Sequence, residues 1–230
     1  MPQLSDLRVK LDQMTGRITS KLKDRSRFPL NTPVYVPDAI PIAGRSGVSL
    51  FEFAIEGLER YHASLGRYNY PDQFPLLRNE ERSTVYRHVP PADVSAVSIS
   101  IGSDMVNFYR DFLKNLCTDH SEDPISFGET AYCDADLLEL THERINLGRY
   151  VAESKLQREP SVRDFVGDEK LLTPKLRDLG REEQVVSKAK NIAGQYELSQ
   201  DVAEKYMRWI ISETIKVEVE YLQKKFQPVG

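Results

Sequence analysis

Arg144 and Lys155 stand eleven residues apart in a stretch with helical apolar spacing. At about 100° per residue, eleven residues make three turns plus about 20°, so both cations leave one face, about 16 Å apart along the axis. Such a pair suits two ends of a compact dianion, or one carboxylate and an ether oxygen. Two solvated surface cations would show the same spacing, and spacing alone favours that plainer reading. Asp178 and Glu182 are four apart, as are Thr214 and Glu218, so each pair shares a helical face. These groups can hydrogen-bond hydroxyls and carboxylates, although a hydrated helix surface is again the commoner outcome. Arg8 lies beside the apolar stripe of its helix rather than opposite it, which is unusual for a purely solvated arginine.

Positioning these residues falls to helix after helix. Leu4, Leu7, Leu11, Met14, Ile18 and Leu22 recur every three or four positions and predict a helix ending after Arg25, before Pro29. Thr32 to Gly47 reads as a surface connection. A second helix is expected from about Ser49 to Leu65, and Tyr70 to Ala92 is irregular. Val94 to Ile101 alternates apolar residues with serine, a strand-like pattern without an obvious pairing partner. A third helix opens at Ser103 or Asp104 and runs to Leu116. Thr118 to Glu129 reads as a polar loop, and Asp134 as the N-cap of a helix lasting to about Gln157. A short helix is expected near Val162 to Val166, a longer one from about Pro174 to Asn191, and a last from Ser199 or Gln200 to about Phe226. The expectation is an all-α, single-domain helical bundle over residues 1–230, with long loops at about 30–48 and 68–92. Trp209 and the tyrosines fit core and boundary positions better than a ligand cage.

Composition removes several classes of function. The chain of 230 residues is 40% hydrophobic and 29% charged, enough to fill a core and cover a surface, so disorder is excluded. Its formal net charge of −4 argues against broad binding to nucleic acid or an anionic membrane. Cys117, Cys133 and the four scattered histidines form no metal motif, so no metal site is expected. There is no Gly-rich phosphate loop and no nucleophile elbow. The start, MPQLSDLRVKLDQM, carries charge throughout and does not read as a signal-peptide core, so the expected location is cytoplasmic; secretion would require a leader removed beforehand.

Three segments add more. Glu143-Arg-Ile-Asn-Leu-Gly-Arg-Tyr-Val-Ala-Glu-Ser-Lys155 resembles the helix on which the all-helical chorismate mutases of the larger fungal and plant type carry an Arg and a Lys eleven apart. Thr214-Ile-Lys-Val-Glu-Val-Glu-Tyr-Leu222 is similar to that family's ending, and Arg25-Ser-Arg-Phe-Pro29 with Pro33-Val-Tyr35 to its exit from the first helix. Tyr70-Pro-Asp-Gln-Phe-Pro75 and the Phe127-Gly128 turn also fit, so the resemblance runs through most of the chain in family order.

The resemblance implies an isomerase acting in phenylalanine and tyrosine biosynthesis, rearranging chorismate to prephenate without cofactor or covalent intermediate, in a homodimer. It assigns Arg8 to one substrate carboxylate, Arg144 to the other, and Lys155 to the ether oxygen. Asp178 and Glu182 would meet the ring hydroxyl, Thr214 a carboxylate, and Glu218 the ether oxygen opposite Lys155. Arg25 matches a motif arginine of small dimeric members and is expected to be structural here. Larger members bind tryptophan or tyrosine through an Arg-Arg pair and a Gly-Ser turn. Here those positions read Gly66-Arg67 and Gly128-Glu129, so Arg67, Gly128 and Glu129 would be an effector-site remnant, with a carboxylate where an amino acid's own carboxylate would dock. Two other readings stay open: a binding protein of the same fold, and a mutase acting on an amino-substituted chorismate.

Overall fold

The computed structural model describes residues 4–69, 73–77, 85, 93–95 and 97–226. Among these the regular elements are helical: α1 (Leu4–Arg25), α2 (Leu50–Ser64), α3 (Gly102–Leu116), α4 (Phe127–Asn146), α5 (Gly148–Arg158), α6 (Glu169–Leu176), α7 (Leu179–Gln195) and α8 (Gln200–Phe226). Short 3-10 turns lie at Thr32–Tyr35, Arg67–Asn69, Pro124–Ser126 and Pro160–Phe165. Most of the irregular stretch expected over 70–92 lies outside the described residues.

The apolar spacing of α1 becomes two faces. Leu7, Met14, Ile18 and Leu22 are buried in the core, whereas Leu4, Arg8 and Leu11, spaced i, i+4, i+7, line an open cleft. α2 begins with a reciprocal capping box, Ser49 accepting from the Glu52 N–H while Glu52 receives the Ser49 N–H. α7 packs on both α1 and α8, and α5 crosses α8. That four-helix group surrounds the cleft, with α4 feeding into it. On the far side of α8, Phe108 of α3 stacks on Trp209, ring centroids 4.0 Å apart, which bears out the packing role expected for that tryptophan.

Three local expectations are corrected, while the strand-like 94–101 pattern, which lacked a pairing partner, forms no strand among its described residues. Val94, Ile99 and Ile101 are buried, but the backbone is satisfied by α8: the Ser95 N–H donates to the Tyr221 hydroxyl (2.9 Å) and Lys224 donates to the Ser98 carbonyl (2.8 Å). α4 starts at Phe127, seven residues before Asp134, so Gly128 and Glu129 occupy its exposed first turn rather than a loop. Asp134 is therefore no cap. It sits fully buried in mid-helix, accepting from Arg25 Nε (2.7 Å), the Tyr35 hydroxyl (2.6 Å) and the Tyr109 hydroxyl (2.5 Å).

The helix expected from 134 to 157 is in fact two, α4 and α5, meeting at Leu147 (φ −62°, ψ −13°). Hydrogen bonds from Leu147 N to Glu143 O and from Val151 N to Leu147 O, both 3.2 Å, join the two helices across the break. Similarly, the helix expected from Pro174 divides into α6 and α7. Arg177 is extended (ψ 143°) and Asp178 caps α7, accepting the Arg181 N–H at 3.0 Å.

Candidate active site

The helices converge on an open cleft of about 650 Å³, a volume that includes the solvent at its mouth. Arg8 comes from α1, Arg144 from α4, Lys155 from α5, Asp178 and Glu182 from the start of α7, and Thr214 and Glu218 from α8; all seven line this one cleft. Apolar walls from Leu4, Leu11, Val151, Leu176, Val185 and Ile211 separate them. Arg181 also lines the cleft and was missed by the sequence reading. Its signal was available, since it follows Asp178 by three on the same first turn.

Lys155 donates to Glu218 Oε2 (2.7 Å) and to the carbonyl of Leu176, the last residue of α6, whose oxygen has no partner within its helix. Arg8 Nη2 donates to Asp178 Oδ2 at 2.8 Å, so Asp178 caps α7 with one oxygen and holds α1 with the other. Arg177 grips Glu182 through both oxygens, Nε to Oε1 at 3.1 Å and Nη2 to Oε2. Arg181 is tied to Asp12 of α1. The Thr214 hydroxyl donates to the Ile210 carbonyl (2.7 Å) and has to turn to donate to anything in the cleft.

Arg144 differs from the others. Its residue is 3% exposed, it makes no hydrogen bond or ion pair among the described residues, and its buried Nε has no partner. Burial, and the nearby Arg181 guanidinium, push its pKa down to about 10 against the pull of Asp12. A buried guanidinium left this bare is costly unless an anion completes it. Glu218, also buried, is pushed up to about 7 by desolvation, with the Glu182 charge adding to the rise and Lys155 opposing it. The cleft thus offers an unsatisfied cation, a second and more exposed cation, and an ammonium–carboxyl pair.

This juxtaposition depends on a close helix crossing. A Cβ placed on Gly148 would lie 2.9 Å from the Thr214 carbonyl oxygen and 3.2 Å from its methyl. Only glycine lets α5 approach α8 closely enough for Lys155 to reach Glu218.

Arg25 does not line the cleft. It is fully buried and donates to Asp134, the Tyr35 hydroxyl and the carbonyls of Phe28, Pro29 and Leu30. Arg67 lies elsewhere, held by Glu143 (2.7 Å) beside a small cavity that also includes Tyr68, Glu139 and His142. Gly128 and Glu129 are exposed.

The family model for chorismate mutase type II matches residues 127–219, the segment containing Arg144, Lys155, Asp178, Glu182, Thr214 and Glu218. A chorismate mutase of Emericella nidulans is 26% identical over 97% of this chain and 92% of its own length. Chorismate mutase 1, chloroplastic, of Arabidopsis thaliana is 29% identical over 96% of this chain and 74% of its own. Over nearly its whole length the chain is similar to the chorismate mutases of fungi and plants.

A chorismate mutase from Candida albicans, solved in complex with L-Trp, superposes with a TM-score of 0.91 over 99% of this chain and 93% of its own, at 24% identity. The all-helical architecture expected from the apolar spacing is that of the chorismate mutases. No helix among the described residues is long and apolar enough to cross a membrane.

Proposed function

We propose that the cleft binds chorismate, folded with its enolpyruvyl arm over the ring, and promotes its rearrangement to prephenate. The observation that carries this reading is the bare, buried Arg144 facing a cleft whose other cations are already tied to carboxylates. A dianion supplies what Arg144 lacks. Its second carboxylate can take Arg8 from Asp178, an exchange at a partly exposed pair. Lys155 and protonated Glu218 then flank the ether oxygen, which gains negative charge as its C–O bond breaks. Glu182 accepts from the ring hydroxyl, with Asp178 beside it, and Thr214, rotated from Ile210, supports a carboxylate. The walls hold the near-attack conformer of a unimolecular step that needs no general base.

The test is direct. Purified protein mixed with chorismate should consume its absorbance and form prephenate, and Arg144→Ala should lower kcat/KM by about a hundredfold or more. Folded wild-type protein that leaves chorismate untouched would reject the reading.

We further infer a homodimer in the cytoplasm. Phe53 and Tyr61 of α2 and Leu65 just beyond it are exposed apolar side chains, and Tyr132 on neighbouring α4 is 63% exposed. Such a face is covered at low cost by a second copy. Sedimentation should give twice the chain mass, and a monomer at micromolar concentration would contradict it.

A further inference from the structure

Glu182 forms part of a wall with two faces. On one side it lines the cleft; on the other it lines an adjoining open pocket of about 740 Å³, solvent at its mouth included, that also includes Thr173, Arg177, Arg208, Ser212 and Lys216. Arg177 and Asp178 are consecutive residues of the connection between α6 and α7, and their side chains part company. Asp178 serves the cleft and Arg8, whereas Arg177 lines the cavity behind and holds Glu182 from there. The Arg177 backbone is fixed by the end of α6, its N–H bonded to the Thr173 carbonyl at 3.2 Å.

The other cations of the rear cavity are committed elsewhere. Arg208 pairs with Glu183 and Glu204, and Lys216 with Glu213 at 2.6 Å. On the cleft side, Lys155 is taken by Glu218, Arg8 by Asp178 and Arg181 by Asp12. Arg144 of α4 completes the charged groups around the cleft and holds no carboxylate. Arg177 is thus the guanidinium that satisfies both Glu182 oxygens, and Glu182 in turn acts electrostatically on Glu218.

We propose that Arg177 is a positioning residue for the rearrangement, holding Glu182 in place as the acceptor for the ring hydroxyl and balancing its charge against Glu218. The inference rests on the mutase reading. Arg177 touches no substrate itself; it acts through the carboxylate between the two cavities. Two consequences separate it from a merely structural ion pair. The contact it fixes is made equally in ground and transition states, so its loss should appear in KM rather than kcat. Removing its charge leaves Glu182 less compensated, which favours the protonated form of Glu218 and moves the alkaline limb of the rate profile upward.

The experiment is steady-state turnover of chorismate across about pH 5.5 to 9 by wild type, Arg177→Ala, Arg177→Lys, Glu182→Gln and the double variant Arg177→Ala/Glu182→Gln. Arg177→Ala should raise KM about fivefold, leave the acidic-plateau kcat within about twofold, and shift the alkaline limb up by about half a pH unit, screening at the half-exposed guanidinium keeping the shift small. Arg177→Lys should keep the limb near its wild-type position while retaining much of the KM defect, because lysine keeps the charge but loses the fork. Glu182→Gln should move the limb down, and adding Arg177→Ala to it should add no further defect in KM. Wild-type KM and limb in Arg177→Ala, with an active wild-type enzyme, overturn this inference and leave the mutase reading standing. A KM defect of equal size in the Glu182→Gln background overturns it too. Wild type without turnover overturns both.

Discussion

At Glu218 burial and pairing work against each other. Desolvation favours the neutral acid, Lys155 at 2.7 Å favours the anion, and burial is the larger influence, leaving the group near pH 7. For a step that builds negative charge on an ether oxygen, the neutral acid donates and the anion repels. The proton is lost as pH rises through that value, so kcat/KM should fall above about pH 7. Glu218→Gln keeps a donor at every pH and should flatten that limb; an unchanged profile in this variant would remove Glu218 from the ether oxygen. Residue types and spacing had brought together Arg144 with Lys155 and Thr214 with Glu218, because face-sharing along a helix is a property of sequence. Arg144's lack of a partner was not legible there. It depends on Asp12 being taken by Arg181 from another helix, which no local pattern records.

Among the elements, boundaries set by distant packing were the ones misplaced. Asp134 looked like a cap because acidic residues commonly start helices, yet it is the centre of a buried network whose donors lie on α1, the 32–35 turn and α3. The alternating 94–101 segment satisfied a strand pattern, but side chains of α8 answer its backbone instead. α8 itself, expected from Ser199 or Gln200 to about Phe226, runs from Gln200 to Phe226, since a long uninterrupted apolar period leaves little room for error. The α5–α8 crossing provides a prediction at this scale. Gly148→Ala must displace a helix whose neighbour is backbone, so it should cost about 1–3 kcal/mol in urea unfolding. By moving Lys155 from Glu218 it should also reduce turnover in the fraction that remains folded, and full activity with unchanged stability would contradict the crossing described here.

Across the whole molecule, the Arg25–Asp134 pair ties the end of α1 and its following turn to α4 without approaching the cleft. Desolvation opposes the Arg25 charge, yet Asp134, Tyr35 and Tyr109 more than answer it, and its pKa is raised above the ordinary arginine value. Removing one partner leaves a buried charge uncompensated, so Arg25→Leu should lower stability by about 3–5 kcal/mol in equilibrium unfolding. Turnover at a temperature where the variant stays folded should remain within about tenfold of wild type. A stable but inactive Arg25→Leu protein would instead make Arg25 part of the chemistry. The family motif around Arg25 through Tyr35 was readable as sequence, and the structure supplies its physical content: one guanidinium gathers three carbonyls, a phenol and a carboxylate.

On the proposed binding mode, the pairing of Arg8 with Asp178 also bears on how a catalytic cycle ends. Prephenate keeps both carboxylates of chorismate, so the rearrangement itself does nothing to loosen the product's grip on this arginine. Asp178 remains beside it and competes for the same position from within. Departure of the product from Arg8 is then an internal displacement, one carboxylate replacing another, whereas the buried Arg144 has no such replacement among the described residues.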